Sequence, residues 1–288
     1  MSFDRTALAR QALQAALKVR QKLDIDLADP VCIYDLAPKL GLKILFEAIP
    51  SMEGLYCANL ARILINADRP AGRQAFSCAH EIGHHVFGHG DRIDLLSISD
   101  NDAPKDPAEF LADCFAGFFL MPKLAVSNAF HRRQWTPATA TSIQLFTIAG
   151  MLGVGYETLI GHMQFSLRML SKASSDRLRV SSPKEIRKEI LGRAHVGGLV
   201  VADTAWAGRP IDVAVGDLIL APSKIQIKGD YIRLINNGSR SETLLEAVAP
   251  GSAQIQQESS GWATFVRVSR KAFHGHAIFR HLPESADE

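Results

Sequence analysis

The feature that most constrains this chain is a short stretch, residues 79–85, in which two histidines stand four positions apart. In an α-helix, side chains four residues apart project from the same face, so the imidazoles of His80 and His84 can both reach one cation at about 2.0–2.1 Å. Glu81 is rotated about 100° around the helix axis from His80, which places its carboxylate beside such a cation. The stretch therefore predicts a helix with His80 and His84 as metal ligands and Glu81 as a general base.

The chemistry of such a site depends on the proton that Glu81 can accept. Zinc lowers the pKa of its water to about 7, so a neighbouring carboxylate can take the proton at neutral pH and pass it to a leaving amine. A catalytic zinc usually has three protein ligands and keeps a fourth position for water or substrate. The prediction therefore requires a third ligand downstream.

Glu109 is the candidate for this third ligand, 25 residues after His84 and on the next predicted helix. Asp113 lies four residues further along and shares its helical face, so one carboxylate can bind the metal while the other accepts a hydrogen bond from a ligand histidine. Two alternatives stay open. Asp106 and Glu109 also fit a variant capping box, which is a purely local helix start, and the two histidines could be satisfied by carbonyl groups or water.

Other histidines and tyrosines are weaker candidates. His89 lies about 180° around the helix from His80 and is expected to face solvent. His85 follows Glu81 by four residues and either touches it or lies exposed at the helix end. A peptidase also needs a group that stabilises the oxyanion, and the sequence does not rank the candidates, which are Tyr56, His131, Tyr156 and His162.

Composition restricts the class of protein. A chain of 288 residues with 47% hydrophobic residues can bury one large core or two modest ones. The 32 basic and 30 acidic side chains leave a net charge of +2, so the bulk electrostatics carry no nucleic-acid or membrane footprint. Four scattered cysteines favour reduced, mostly buried thiols. The N-terminus lacks the apolar core of a secretory signal, and no stretch approaches the roughly 18–20 apolar residues of a membrane span, so a cytoplasmic location is expected.

The pattern of elements along the chain predicts an α+β fold. Helices are expected at residues 5–23, 31–40, 70–90 and 106–121, followed by a helix pair within 143–167. Three short segments rich in β-branched and aromatic residues, at 42–49, 54–60 and 62–67, are expected to form a small antiparallel sheet. Residues 91–105 are polar and predict a surface loop. From about residue 194 onward, alternating strands with glycine turns predict a separate, mostly-β domain.

The residues around the histidine motif form a wider pattern. It comprises Arg73, Phe76, Ser77, Ala79, Ile82 and Gly83 beside the motif, then Glu109, Ala112, Asp113, Phe115 and Ala116, then Leu120, Met121 and Pro122, with residues 63–66 upstream. Over roughly residues 1 to 170, this combination resembles the ImmA/IrrE family of metallo-endopeptidases. The spacing to Glu109 is similar to that of the thermolysin-like peptidases, the gluzincins. The metzincin pattern would require Gly at position 87 and His at position 90, where this chain has Phe87 and Gly90.

The resemblance implies a zincin-like minimal peptidase core that holds one Zn²⁺ per chain at His80, His84 and Glu109, with Mn²⁺ or Fe²⁺ as alternatives. It also implies a cytoplasmic protein of a bacterium, phage or mobile element that cleaves a helix-turn-helix transcriptional repressor after stress or DNA damage. An extended substrate chain would add to the edge of the small sheet, at residues 54–57. The C-terminal β region lies outside the resemblance.

The predicted domains are a zinc metallopeptidase domain at 1–135, a helical, helix-turn-helix-like segment at 136–170, a linker at 171–185 and a mostly-β domain of unknown role at 186–288. An endopeptidase acting on a protein partner is the favoured function. The alternative is a DNA-binding or effector-sensing regulator with a non-catalytic metal site. DNA binding is disfavoured because the second helix of the segment has no Arg or Lys before Arg168, and phosphate contacts need cations. An effector, small molecule or protein, bound by the C-terminal domain is compatible with the first hypothesis.

Overall fold

The structure is a computed structural model that describes residues 3–49, 52–95, 106–236, 242–257 and 259–283. The described residues form the helices α1 (Arg5–Lys22), α2 (Ile33–Leu36), α3 (Ala71–Phe87), α4 (Pro107–Leu120), α5 (Lys123–His131), α6 (Ser142–Leu152), α7 (Tyr156–Gly161), α8 (Lys172–Arg179) and α9 (Pro183–Leu191). They also form the strands β1 (Lys43–Glu47), β2 (Met52–Cys57), β3 (Arg62–Asn66), β4 (Arg92–Leu95), β5 (Leu199–Val201), β6 (Ile211–Ala214), β7 (Leu218–Pro222), β8 (Ile225–Lys228), β9 (Ile232–Asn236), β10 (Glu242–Ala247), β11 (Gly251–Gln257), β12 (Trp262–Ser269) and β13 (Gly275–His276).

The chain divides into two compact units. The first comprises Met1–Ala140, Leu152–Arg179 and His274–Ile278, and the second comprises Thr141–Met151, Val180–Phe273 and Phe279–Glu288. Helices and sheets are mixed, and the C-terminal region is rich in strands, which confirms the predicted α+β class. The predicted domain boundaries, after residues 135, 170 and 185, stay predictions.

Within its described residues, the first unit contains a five-stranded sheet with the order β13-β1-β3-β2-β4. β3 pairs in parallel with β1 and antiparallel with β2, so the predicted antiparallel sheet is wrong for the β1–β3 pair. β3 occupies the middle position of the sheet, where its apolar side chains are buried: Ile63 and Ile65 are fully buried. A strand with a neighbour on each side also satisfies its backbone hydrogen bonds within the sheet.

Both outer strands of this sheet differ from the prediction. β4 pairs antiparallel with β2, so the prediction of a surface loop at 91–105 is wrong for residues 92–95. Residues 96–105 of the predicted loop lie outside the described residues. Residues 54–57 are therefore not the open edge that was predicted to receive a substrate chain, because β4 already occupies their hydrogen-bonding side. β13 pairs with β1 on the other side of the sheet, although its residues fall within the range predicted for the C-terminal domain.

Helices α3 and α4 confirm the two helices predicted around the histidine motif. α3 ends at Phe87 and is followed by Gly88, whose φ of +67° lies in the left-handed region that favours glycine. Asp106 caps α4 because its side chain accepts a hydrogen bond of 2.8 Å from the backbone N–H of Ala108. Pro107 occupies the first helical position, where the missing N–H has no helical partner to lose.

The fully buried side chain of Arg20 joins α1 to the end of α4. Its Nη1 donates a hydrogen bond of 2.6 Å to the carbonyl oxygen of Phe119, and its Nη2 donates to the carbonyl oxygens of Asp26 and Asp29. Burial lowers the pKa of Arg20 to about 10, so the group stays charged at neutral pH. Its hydrogen bonds satisfy carbonyl groups that a helix end and a loop leave without helical partners.

One stretch of the described chain, Pro107–His131, is long and apolar enough to cross a membrane, so the prediction that no stretch approaches this length is wrong. It consists of α4 and α5, and 67% of its most apolar segment is buried inside the protein. Burial of this kind is typical of a core helix that is apolar on most of its faces.

Within its described residues, the second unit contains two four-stranded sheets, with the orders β5-β7-β10-β9 and β6-β12-β11-β8. Most neighbours are antiparallel, but β5 pairs with β7 and β6 pairs with β12 in parallel. A cluster of four buried leucines joins α9 to the first of these sheets; its members are Leu191, Leu199, Leu218 and Leu220.

The stretch predicted as a linker, residues 171–185, carries α8 and the start of α9. α9 begins with a capping box: the Ser182 hydroxyl accepts from the backbone N–H of Glu185, and the Glu185 carboxylate accepts from the backbone N–H of Ser182. The sequence Ser-x-x-Glu is a known signal for a helix start, so this helix was accessible to prediction and was missed.

Candidate metal centre

The histidine motif lies on a buried turn of α3. His80, Glu81 and His84 are 5%, 0% and 1% exposed. Ionisable side chains are rarely buried to this degree unless they are paired or bind a metal. The burial therefore requires partners for these three side chains.

The first turn of α4 brings the predicted third ligand to the two histidines. Oε2 of Glu109 lies 3.2 Å from Nε2 of His80 and 3.5 Å from Nε2 of His84. Asp106 alone caps the helix through Ala108, and the carboxylate of Glu109 points to the imidazoles. The alternative of a purely local capping box at Asp106 and Glu109 thus does not describe this side chain.

The three facing atoms form a triangle of the size that a metal ion needs. The Nε2 atoms of His80 and His84 are 3.0 Å apart, and the distances to Glu109 complete the triangle. Three ligand atoms at about 2.0–2.1 Å from one ion, at tetrahedral angles, would stand about 3.3 Å from one another. The observed 3.0, 3.2 and 3.5 Å bracket that value.

Hydrogen bonds at the far side of each ring direct a lone pair into this triangle. Nδ1 of His80 lies 2.8 Å from Oδ1 of Asp113. A carboxylate only accepts hydrogen bonds, so Nδ1 of His80 carries the proton and donates it. In the neutral ring Nε2 then presents its lone pair to the neighbouring Nε2 and carboxylate. A cluster of lone pairs is satisfied by a cation, and these residues therefore fit a divalent metal ion.

The electrostatics of the cluster agree with this fit. Burial by itself lowers the pKa of His80, but the hydrogen bonds to Asp113 and Glu109 and the nearby carboxylate charges outweigh it and raise the pKa well above its ordinary value. The hydrogen bonds to His80 and His84 hold the pKa of Glu109 far below its ordinary value. In the absence of an ion, the imidazoles therefore hold a proton toward Glu109, and a bound cation would take the place of that proton and leave the rings neutral.

Glu81 is fully buried and lies under β2. A Cβ built on Gly54 would lie 2.6 Å from Oε1 of Glu81 and 3.1 Å from its Cγ. Glycine at position 54 therefore leaves the space that the carboxylate occupies. No local pattern singles out this glycine, because the contact joins a strand to a helix that is distant along the chain.

His85 contacts Tyr56. Among the described residues, the side-chain contacts of His85 do not include Glu81. The Tyr56 hydroxyl and Nδ1 of His85 form a hydrogen bond of 2.7 Å, and Tyr56 is buried on β2. Two other oxyanion candidates bind backbone carbonyls: the Tyr156 hydroxyl donates to Leu178, and Nε2 of His162 donates to Met121. The remaining candidate, His131, is exposed at the end of α5.

His89 is the residue of the site that sequence reasoning missed. Its Nδ1 lies 2.8 Å from Nδ1 of His84, so the prediction that it faces solvent on the far side of the helix is wrong. The helical angle of about 180° applies only while the helix continues, and α3 ends at Phe87. Gly88 was the available signal, since glycine after a helix predicts a chain reversal.

One family model matches the part of the chain that carries this site. Residues 37–160 match the family model of the peptidase M78 family described as IrrE N-terminal-like domain. Among solved structures, a Mycobacterium tuberculosis transcriptional regulator aligns at 15% identity with a TM-score of 0.36, over 54% of this chain and 46% of that one. A cysteine protease inhibitor of Entamoeba histolytica, EhICP2, aligns at 14% identity with a TM-score of 0.20, over 25% of this chain and 95% of that one. Such low TM-scores carry no argument about fold or function. No curated protein matches the chain.

The family match over residues 37–160 and the cluster of His80, His84 and Glu109 indicate a metallopeptidase-type domain with residues able to hold a metal. Residues 37–160, which contain all three, match the family model described as IrrE N-terminal-like domain, in agreement with the ImmA/IrrE resemblance. The resemblance predicted from the sequence is thereby confirmed over this segment.

Proposed function

We propose that this chain is a zinc-dependent endopeptidase that hydrolyses a peptide bond in a protein partner. The observation that carries the proposal is the triangle of ligand atoms from His80, His84 and Glu109, which all lie within 4.8 Å of one another. Two imidazoles and one carboxylate are the ligand set of catalytic zinc in thermolysin-type enzymes, where a fourth position stays open for water or substrate.

The metal site and Glu81 have different roles in the proposed hydrolysis. When bound, the ion supplies Lewis acidity to the scissile carbonyl and acidifies the attacking water. Glu81 accepts a proton from that water and passes it to the leaving amine. Because Glu81 is fully buried under Gly54, bulk water is kept from its carboxylate and its position is restricted.

The open side of the cluster lies toward the start of α4. The side chains of Glu109 and Asp113 are 30% and 40% exposed to solvent. Those of His80 and His84 are only 6% and 1% exposed. A substrate therefore approaches past the acidic residues of α4. Arg92 lies at the same edge, with Nη1 3.4 Å from Oδ2 of Asp106 and 3.9 Å from Oε1 of Glu109.

The partner that we propose is a helix-turn-helix transcriptional repressor in the cytoplasm. Support for this partner comes from the family of residues 37–160, and support for a reducing compartment comes from the four cysteines, which are not joined in disulfides. The role of Asp113 as the partner of His80 rests on their hydrogen bond, and the role of Glu81 as the base rests on its place in the motif between the two ligand histidines and on its burial.

The experiment that tests the proposal incubates the purified full chain with the repressor encoded beside its gene, with and without a chelator. We expect cleavage at a defined bond, located by mass spectrometry, which the chelator stops and added zinc restores. Glu81→Gln keeps the shape of the side chain and removes the base, so it should abolish cleavage while the metal content stays near one per chain.

Two outcomes would count against the proposal. Full activity of Glu81→Gln would remove this residue from the mechanism. A chain that binds zinc at the expected ratio and cleaves neither the repressor nor an unfolded protein substrate would favour the alternative of a regulator with a non-catalytic metal site.

A further inference from the structure

His84 and His89 form a contact whose geometry is set by the end of α3. Their Nδ1 atoms are 2.8 Å apart, and their ring centroids are 5.0 Å apart at an interplanar angle of 65°. The contact lies on the side of His84 opposite to Nε2, which faces the ligand triangle. His89 therefore acts on the ligand ring without touching the metal position.

A Schellman motif places His89 over His84. The backbone N–H of His89 donates to the carbonyl of His84, and that of Gly88 donates to the carbonyl of His85, at 3.1 and 3.2 Å. This is the six-to-one and five-to-two pattern that closes a helix through a left-handed residue, and it brings the last residue of the motif against the first. Gly88 supplies the left-handed residue with φ +67°.

Stacking fixes the orientation of the His89 ring. The ring stacks on Phe87 with centroids 5.6 Å apart and an interplanar angle of 24°. Phe87 in turn packs edge-on against Phe115, which is fully buried on α4. The His89 ring is thus connected to the core, so its Nδ1 is held toward His84.

We propose that His89 is a positioning residue that fixes the tautomer and ring orientation of His84 for metal binding. A neutral imidazole has one N–H and one lone pair. If Nε2 of His84 uses its lone pair for the metal, the proton is on Nδ1 and is donated to Nδ1 of His89. His89 then carries its own proton on Nε2. This inference rests on the proposed metal site and adds to it a partner for the second ligand histidine.

The two ligand histidines thereby have partners of different strength. Asp113 offers His80 a charged acceptor at 2.8 Å, and His89 offers His84 a neutral acceptor at 2.8 Å. Hydrogen bonds to ionised groups are roughly twice as strong as neutral ones. Loss of the His89 acceptor should therefore weaken metal binding, and by less than loss of Asp113.

The test compares four variants of the full chain by competition for zinc with a chromophoric chelator. His89→Ala removes the acceptor and the ring, and His89→Phe keeps a stacking ring without the acceptor. His89→Asn supplies an amide oxygen close to the position of Nδ1. His274→Ala is the matched control, because His274 is an exposed histidine of the same unit.

Removal of a partner of a metal-ligating histidine typically weakens metal affinity 10- to 100-fold. We expect a loss at the lower end of this range for His89→Ala and His89→Phe, recovery toward the wild-type affinity for His89→Asn, and no change for His274→Ala. In ¹⁵N-labelled, zinc-loaded protein, the His84 ring should show a protonated Nδ1 in the wild-type chain.

Each contrary result has a distinct meaning. Wild-type affinity in His89→Ala, or affinity in His89→Phe that matches His89→Asn, would overturn the role of the acceptor while leaving the metal site intact. A wild-type chain that binds no zinc would instead overturn the proposed function on which this inference rests.

Discussion

Gly83 of α3 lies against Ala112 of α4 so closely that a Cβ on the glycine would stand 3.1 Å from Cα and 3.3 Å from Cβ of the alanine. Gly83 directly precedes His84, and Ala112 directly precedes Asp113 and follows Glu109 by three residues. The close approach of these two helices therefore sets the distance between the imidazoles and the carboxylates.

Gly83→Ala should separate α3 from α4 and weaken metal binding. The nearest atom belongs to the backbone of α4, so the helix itself must shift by a few tenths of an ångström. Overpacking of this kind costs about 1–3 kcal/mol, and we expect at least a tenfold weaker zinc affinity by chelator competition. Gly150→Ala on α6 is the control, because a Cβ there meets nothing within 4 Å; it should stabilise the chain by up to about 1 kcal/mol. Unchanged zinc affinity in Gly83→Ala would show that the ligands do not depend on this contact.

Gly54→Ala should slow hydrolysis without removing the metal. The added Cβ would lie 2.6 Å from Oε1 of Glu81, and the fully buried carboxylate has little room to move away. General bases contribute about 10²–10⁴-fold to a rate, so we expect kcat to fall at least tenfold, toward the value of Glu81→Gln, while metal content stays near one per chain. Wild-type kcat in this variant would mean that Glu81 does not need its observed position.

Asp113→Ala should weaken zinc binding by more than His89→Ala does. It removes the charged acceptor of His80 Nδ1 and leaves the ring free to rotate or to change tautomer. We expect a 10- to 100-fold weaker zinc affinity, measured by chelator competition. Asp176→Ala serves as the control, since Asp176 is an exposed acid paired with Lys172 on α8. Equal affinities of the two variants would contradict the assigned role.

His162 should make the first unit less stable in mild acid. Burial lowers its pKa to about 4, against a hydrogen bond to Met121 that raises it. The ordinary pKa of about 6.5 is that of the unfolded chain. As the pH falls from about 6.5 to about 4, the unfolded state binds a proton that the folded state does not, so the free energy of unfolding falls. The full effect of this one group is about 3 kcal/mol and is complete below about pH 4.

His162→Gln tests this effect, because glutamine keeps a donor for the Met121 carbonyl and does not titrate. Urea unfolding of the metal-free chains should give a steeper loss of stability with falling pH for the wild type than for the variant. Parallel pH profiles would contradict the assignment.

The local part of the site could be predicted from the sequence for a physical reason. The spacing of His80, Glu81 and His84 fixes their directions once the segment is helical, and the Asp106-Pro107 pair marks the start of the helix that carries Glu109. These relations depend on neighbours along the chain. The observed triangle of ligand atoms agrees with them, while the roles of the residues stay proposals.

The parts that were mispredicted depend on pairings between distant segments. β1 pairs in parallel with β3, and β4 and β13 form the outer strands of the sheet. The order of the strands depends on which of them must be buried between two neighbours. The sequence of one strand alone does not determine this order. The role of Gly54 was missed for the same reason. His89 was missed because the helical periodicity was extended beyond Gly88, where the backbone reverses.

The most direct test of the account is the anomalous scattering of a zinc-loaded crystal of the full chain. The account predicts one ion per chain, with Nε2 of His80, Nε2 of His84 and a carboxylate oxygen of Glu109 at about 2.0–2.2 Å. An ion bound elsewhere, or a coordination sphere that leaves out Glu109, would contradict it.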